Sequence, residues 1–82
     1  MSYDLHLDYA TRTVLSDLPP KTRAAISYAL ISACDDPIAA TQPHGDVDDG
    51  IMRDLVVGDV IVVVYLGHAT KVMSVFQITA LA

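Results

Sequence analysis

Seven consecutive residues, Val60-Ile61-Val62-Val63-Val64-Tyr65-Leu66, leave this chain few options. Five of them are β-branched, with stiff side chains that suit a pleated surface better than a helix. The run is apolar on both alternating faces, so it reads as a central strand, protected on both sides or half-covered by a partner. It falls far short of the roughly 18 apolar residues needed to cross a bilayer.

The flanking sequence supplies neighbours for that strand. Ile51 to Val57 reads as a strand, and Val57-Gly58-Asp59-Val60 is a hairpin signal, with Gly58 free to take a positive φ. Gly67-His68-Ala69-Thr70 makes the next turn, and Lys71 to Leu81 forms the last strand. On that strand strict alternation puts Val72, Phe76 and Ile78 on one face. Lys71, Met73, Val75, Gln77 and Thr79 fall on the other, which is expected to meet solvent or a ligand.

The first half has a different period. Tyr3-Asp4-Leu5-His6-Leu7 alternates as a short strand. Asp8 is placed to cap a helix that includes Ala10, Val14 and Leu15. That helix must end by Leu18, because Pro19 and Pro20 follow. A second helix spans about Pro20 to Cys34, with Ala25, Ile26, Ala29, Leu30, Ala33 and Cys34 on one stripe. The tight turn between the helices predicts an antiparallel hairpin. Ile38 to Gly50, rich in Asp, Gly and Pro, reads as a surface loop. The expected fold is therefore α+β in the order β-α-α-β-β-β. A helical hairpin packs on one face of a mostly antiparallel four-stranded sheet, and residues 1–82 form a single domain.

Charge narrows the function classes. The net charge is −5, and all ten acidic residues are Asp, a residue of caps and turns. Phosphate recognition relies on Lys and Arg. Only Arg12, Lys21, Arg23, Arg53 and Lys71 are present, which argues against a broad nucleic-acid footprint. The start, Met1-Ser2-Tyr3-Asp4, lacks the basic and apolar segments of a secretory leader, so the cytoplasm is the expected location. The single cysteine, Cys34, excludes an intrachain disulfide; Asp35 and Asp36 beside it disfavour a reactive thiolate.

Most motifs of chemistry are absent. There is no Gly-rich phosphate loop, no Gly-x-Ser-x-Gly elbow and no helical pair among His6, His44 and His68. No cofactor is expected. The run His44-Gly45-Asp46-Val47-Asp48-Asp49-Gly50 is oxygen-rich but lacks EF-hand spacing, so a solvated loop is the simpler reading. Arg53 is flanked by Met52 and Asp54 on its strand, where a surface or ion-paired role is the common one. Tyr65 on the next strand, His68 in the turn and Lys71 beyond it each have an ordinary structural role too. Together, Arg53, Tyr65, His68 and Lys71 are the one group in the sequence able to stabilise a phosphate and move protons.

The string Met52-Arg53-Asp54-Leu55-Val56-Val57-Gly58-Asp59-Val60-Ile61-Val62-Val63-Val64-Tyr65 resembles the RelE/ParE toxin pattern. That pattern runs Arg, an acidic residue, Leu, a Gly-Asp turn, then an apolar strand ending near Tyr. Leu18-Pro19-Pro20, the long helix and Asp36-Pro37 resemble the family's first half. The resemblance implies the toxin half of a bacterial toxin–antitoxin pair, with a cognate antitoxin as partner. RelE-like members cut mRNA on the ribosome by activating a ribose 2′-hydroxyl, and ParE-like members inhibit gyrase. Arg53 matches the family's strand arginine. The family's lysines before that strand are replaced here by Pro43-His44-Gly45-Asp46-Val47-Asp48-Asp49, and its later Arg and Tyr or His by Gln77-Ile78-Thr79-Ala80-Leu81-Ala82. Three expectations result. One is a RelE/ParE-like toxin, a ribosome-dependent endoribonuclease or gyrase inhibitor. Another is a non-catalytic RelE-like binding or dimerisation module. A small metal-dependent enzyme using the Asp-rich loop is the third and most distant.

Overall fold

The computed structural model describes residues 2–46 and 48–81. The chain runs β1 (Asp4–Leu7), α1 (Tyr9–Asp17), α2 (Pro20–Ala33), α3 (Pro37–Ala40), β2 (Gln42–Pro43), β3 (Met52–Val57), β4 (Val60–Gly67) and β5 (Val72–Ala80). The strands form one sheet in the order β1-β5-β4-β3-β2. β1 pairs with β5 in parallel, and the remaining pairs are antiparallel. The apolar run of the sequence is β4, at the centre of the sheet.

The expected α+β order holds, with two additions. The segment that reads as a plain loop contains a short helix and a two-residue strand, so the sheet has five strands rather than four. Asp36 makes that helix by accepting from the Ala39 backbone N–H, with Pro37 in the first turn. Gln42 and Pro43 then pair with Asp54 and Arg53. Two residues carry no legible alternation, which is why the strand is silent in the sequence.

Helix boundaries follow local chemistry. Asp8 caps α1 by accepting from the Thr11 backbone N–H and hydroxyl, at 2.8 Å each. This holds the Asp8 carboxyl below its usual range. The inward face of α1 is Thr11 and Leu15, continued by the C-cap Leu18, whereas Ala10 and Val14 are exposed. Thr11 is tolerated inside because its hydroxyl is also bonded to the Asp8 carbonyl. α1 packs against β1 and β5, whereas α2 packs against β3 and α3. Ile26, Leu30, Ala33 and Cys34 of α2 meet Leu55, Val60, Val62, Val64, Leu66, Met73 and Val75 in the core. No helix among the described residues is long and apolar enough to cross a membrane.

β5 departs from strict alternation. The register steps from Val63↔Gln77 to Val64↔Val75, so Phe76 is an extra residue in the ladder. Met73 and Val75 point into the core instead of toward solvent. After the bulge Ile78 also packs on the core, whereas Phe76 is 66% exposed. The predicted face assignment of this strand is thereby reversed for Met73, Val75 and Phe76. The Gly58-Asp59 turn is as expected, with Gly58 at φ 60°.

Candidate functional site

β3 carries Arg53 on the helix-facing side, one register step from buried Leu55 and opposite buried Val64. Its guanidinium is fully committed to this chain. Nε donates to the Thr41 hydroxyl at 3.0 Å. Nη1 donates to the Asp48 carboxylate at 2.8 Å. Nη2 donates to the carbonyls of Ile38 and Thr41 at 3.2 and 2.8 Å. The residue is only 5% exposed. These bonds pin α3 and the Asp-rich loop to the sheet. The forked geometry of arginine suits this task, since each nitrogen meets a different acceptor.

His68, in the turn after β4, occupies a second arrangement. Its Nε2 lies 2.6 Å from the Gly50 carbonyl, and its Nδ1 lies 2.6 Å from the Tyr3 hydroxyl. A carbonyl only accepts, so Nε2 carries the proton and Nδ1 accepts from Tyr3 in the neutral ring. The Tyr3 and His68 rings meet edge to face, with centroids 5.9 Å apart. The Lys71 ammonium sits 5.1 Å from the Tyr3 ring centroid, a cation–π contact. Lys71 itself holds φ 58°, the left-handed region. Three segments distant in sequence meet here: the entry to β1, the loop before β3 and the β4–β5 turn.

Tyr65 belongs to neither group. It alternates onto the opposite, open face of the sheet and is 49% exposed. Its ladder partners are Met52 and Ser74. The same face carries a His44–Asp54 pair, Nδ1 to carboxylate at 2.7 Å. A shallow open depression of about 190 Å³ lies between α3 and β3, lined by Ala40, Thr41, Gln42, Asp54 and Val56. None of the four candidate residues lines it.

Of the four candidates, His68 and Lys71 are thus brought together around Tyr3, while Arg53 and Tyr65 project from opposite faces. Nothing in the sequence singles out Tyr3, Thr41 or Asp48 as their partners. Tyr3 is 65 residues from its His68 partner, and only the parallel β1–β5 pairing joins them. Among the described residues, no group of three His, Cys, Asp or Glu side chains is placed to hold a metal ion. The Asp-rich run is used locally: Asp48 binds Arg53 and the Gly50 backbone N–H, and Asp49 accepts from the Ile51 and Met52 backbone N–H groups. Those backbone bonds hold the Asp49 carboxyl below its usual range. Val47, within the same run, lies outside the described residues. Burial, then Asp35 and Asp4, push the Cys34 thiol up, away from the thiolate form.

The shape of the molecule is familiar. A chain in the crystal structure of the RelBE2 toxin–antitoxin complex from Mycobacterium tuberculosis matches with TM-score 0.84 and 15% identity, over 98% of this chain and 99% of that one. The E. coli toxin RelE, as a double arginine-to-alanine mutant in the free state, matches with TM-score 0.81 and 17% identity, over 98% and 84%. This chain has the RelE fold. The archaeal RelE–RelB complex from Pyrococcus horikoshii agrees, with TM-score 0.77 and 16% identity, over 98% and 96%. No protein-family model and no curated protein matches the sequence. The RelE resemblance of the Arg53–Tyr65 string is therefore supported through shape, and the strands carrying that string, β3 and β4, form an antiparallel hairpin inside the sheet.

Proposed function

We propose that this chain is the RelE-like toxin component of a toxin–antitoxin pair, held by a cognate antitoxin segment in the cytoplasm. We further infer that it acts by binding its target rather than by cutting RNA. The pairing rests on one observation: whole-chain likeness to chains from two toxin–antitoxin complexes. The preference for binding rests on Arg53, whose guanidinium is buried and bonded to four acceptor atoms of its own chain. An arginine in that state has little left to offer a phosphate. The net charge of −5 points the same way.

The second reading is ribosome-dependent mRNA cleavage by Arg53, Tyr65, His68 and Lys71. It is favoured by the His68–Tyr3–Lys71 group, which gathers a proton-carrying ring, a phenol and a cation in one place. Controlled expression in bacteria separates the readings. Under binding alone, growth arrest occurs with intact mRNA and survives a combined His68→Ala and Lys71→Ala change. Mapped mRNA cuts that vanish in that double variant would overturn the binding reading. A gyrase supercoiling assay tests the remaining target directly. Co-expression with the product of an adjacent short reading frame should relieve arrest and yield a co-purifying complex; failure of both would remove the toxin–antitoxin assignment.

A further inference from the structure

α2 is apolar on two opposite sides. One side, Ile26, Leu30 and Ala33, is buried in the core. On the other side Lys21, Ala24, Tyr28, Ile31 and Asp35 recur at spacings of three, four, three and four, all exposed. Tyr28 is 76% exposed and Ile31 65%. A helix facing water normally carries polar residues on that side, and apolar residues all round mark a helix that is covered. Ile38, also exposed, lies on α3, which packs against α2.

The charges at the two ends are equally unusual. A helix favours acidic side chains at its N-terminus and basic ones at its C-terminus. α2 has neither: no acidic residue in its first turn, no basic residue in its last, and no side-chain cap on Pro19. Instead Lys21 and Arg23 sit at the start, and Asp35 and Asp36 follow the end. Arg23 donates to the Ser16 carbonyl, and the Asp36 side chain accepts from the Ala39 backbone N–H. Lys21 and Asp35 form no salt bridge among the described residues.

We propose that the outer face of α2 is a self-association surface, pairing antiparallel with the same helix of a second copy. The pattern is its own complement. Lys21 and Asp35 are each seven residues from Tyr28. A two-fold axis near Tyr28 therefore sets Lys21 of each copy against Asp35 of the other. An interface between identical subunits needs this kind of self-complementarity. Parallel pairing would oppose like charges, so the charges select the antiparallel arrangement. Ala24 allows the helix backbones to approach, and Tyr28 and Ile31 supply the apolar centre. Each copy's acidic end also meets the other's uncapped, basic helix start. The seam is about 21 Å long. On a helix only about 10 Å across, a seam of that length covers far less than the roughly 800 Å² per partner of a strong complex, so the dimer is weak, with Kd on the order of 10 to 100 μM.

Sedimentation velocity of the full chain over a concentration series tests this. The expected result is a monomer–dimer equilibrium that Ile31→Ser abolishes. Lys21→Asp and Asp35→Lys should each weaken dimerisation about tenfold, and the two together should restore it. The substituted residues are exposed, and far-UV circular dichroism checks that each variant stays folded. A chain monomeric up to roughly millimolar concentration overturns the proposal and leaves this face to a different protein. A dimer indifferent to Ile31→Ser, or a double reversal no better than the singles, overturns it as well.

Discussion

The two faces of the sheet are cut from the same strands and serve different ends. On the helix side, Leu55, Val60, Val62, Val64, Leu66, Met73 and Val75 are buried, and the one cation among them, Arg53, has every nitrogen bonded. On the open side, Tyr65, Phe76 and Val56 are about half exposed or more, with the His44–Asp54 pair beside them. Burial makes the difference. A charge inside must be fully partnered or it costs several kcal/mol, so it becomes a fastener. A polar group outside keeps water as an alternative partner, so its bonds contribute little and it stays available to ligands. The charged residue most prominent in the sequence is the one the fold uses up.

Substitutions should expose this asymmetry. The largest effect is expected at Arg53. Arg53→Ala leaves the Ile38 and Thr41 carbonyls without their donor and should destabilise by about 3 kcal/mol, measured by urea denaturation. Asp48→Ala removes the half-exposed partner of the same pair and leaves the buried guanidinium its three other acceptors, so it should cost less, about 1 to 2 kcal/mol. If Arg53→Ala proves as stable as the parent, the fastener role is lost and a catalytic one regains ground. Next comes the bulge. Met73→Ala should cost about 3 kcal/mol as a core cavity, whereas Phe76→Ala, on the same strand at the bulge, should cost under about 0.5 kcal/mol. A larger loss at Phe76 than at Met73 would mean that the strand keeps the face assignment of strict alternation, with Phe76 turned inward.

Smaller effects belong to the turn side. His68→Ala should cost about 1 kcal/mol, because its hydrogen bonds are exposed. The loss should show up as faster hydrogen exchange in the loop before β3 more than as a global shift. The smallest effect is pH dependence. Asp8 and Asp49 both have carboxyls held below their usual range by backbone N–H groups. Their contribution is therefore complete above the ordinary carboxylate pKa and is lost as pH falls through the lowered values. Thermal melts of Asp8→Ala should show a lower Tm at neutral pH and a shallower decline in acid than the parent.

Local rules are legible wherever a residue's neighbours in sequence are also its neighbours in space. The cap at Asp8, the break at Pro19-Pro20, the Gly58 turn and the central strand all depend on contacts within a few residues. The face assignment of Met73, Val75 and Phe76 fails because one extra residue inverts a period of two, and nothing in Val75-Phe76-Gln77 marks the insertion. β2 escapes notice because two residues make a strand only when β3 is there to pair with them. The candidate site divides in the same way. His68 and Lys71 are near each other in the chain and remain so in space. Arg53 and Tyr65 sit on adjacent strands, yet alternation and register send them to opposite faces.

The sequence by itself thus determined the element types, most of their boundaries, the α+β order and the resemblance to RelE, because short-range sterics and hydrogen bonding set these. Tertiary structure alone decided that Tyr3 completes the His68 group and that Arg53 is buried beneath α3 and the Asp-rich loop. It also decided that α2 keeps a second apolar side uncovered. Those outcomes depend on which distant segments meet and on how much water they exclude, and neither is written in the spacing of residues along the chain.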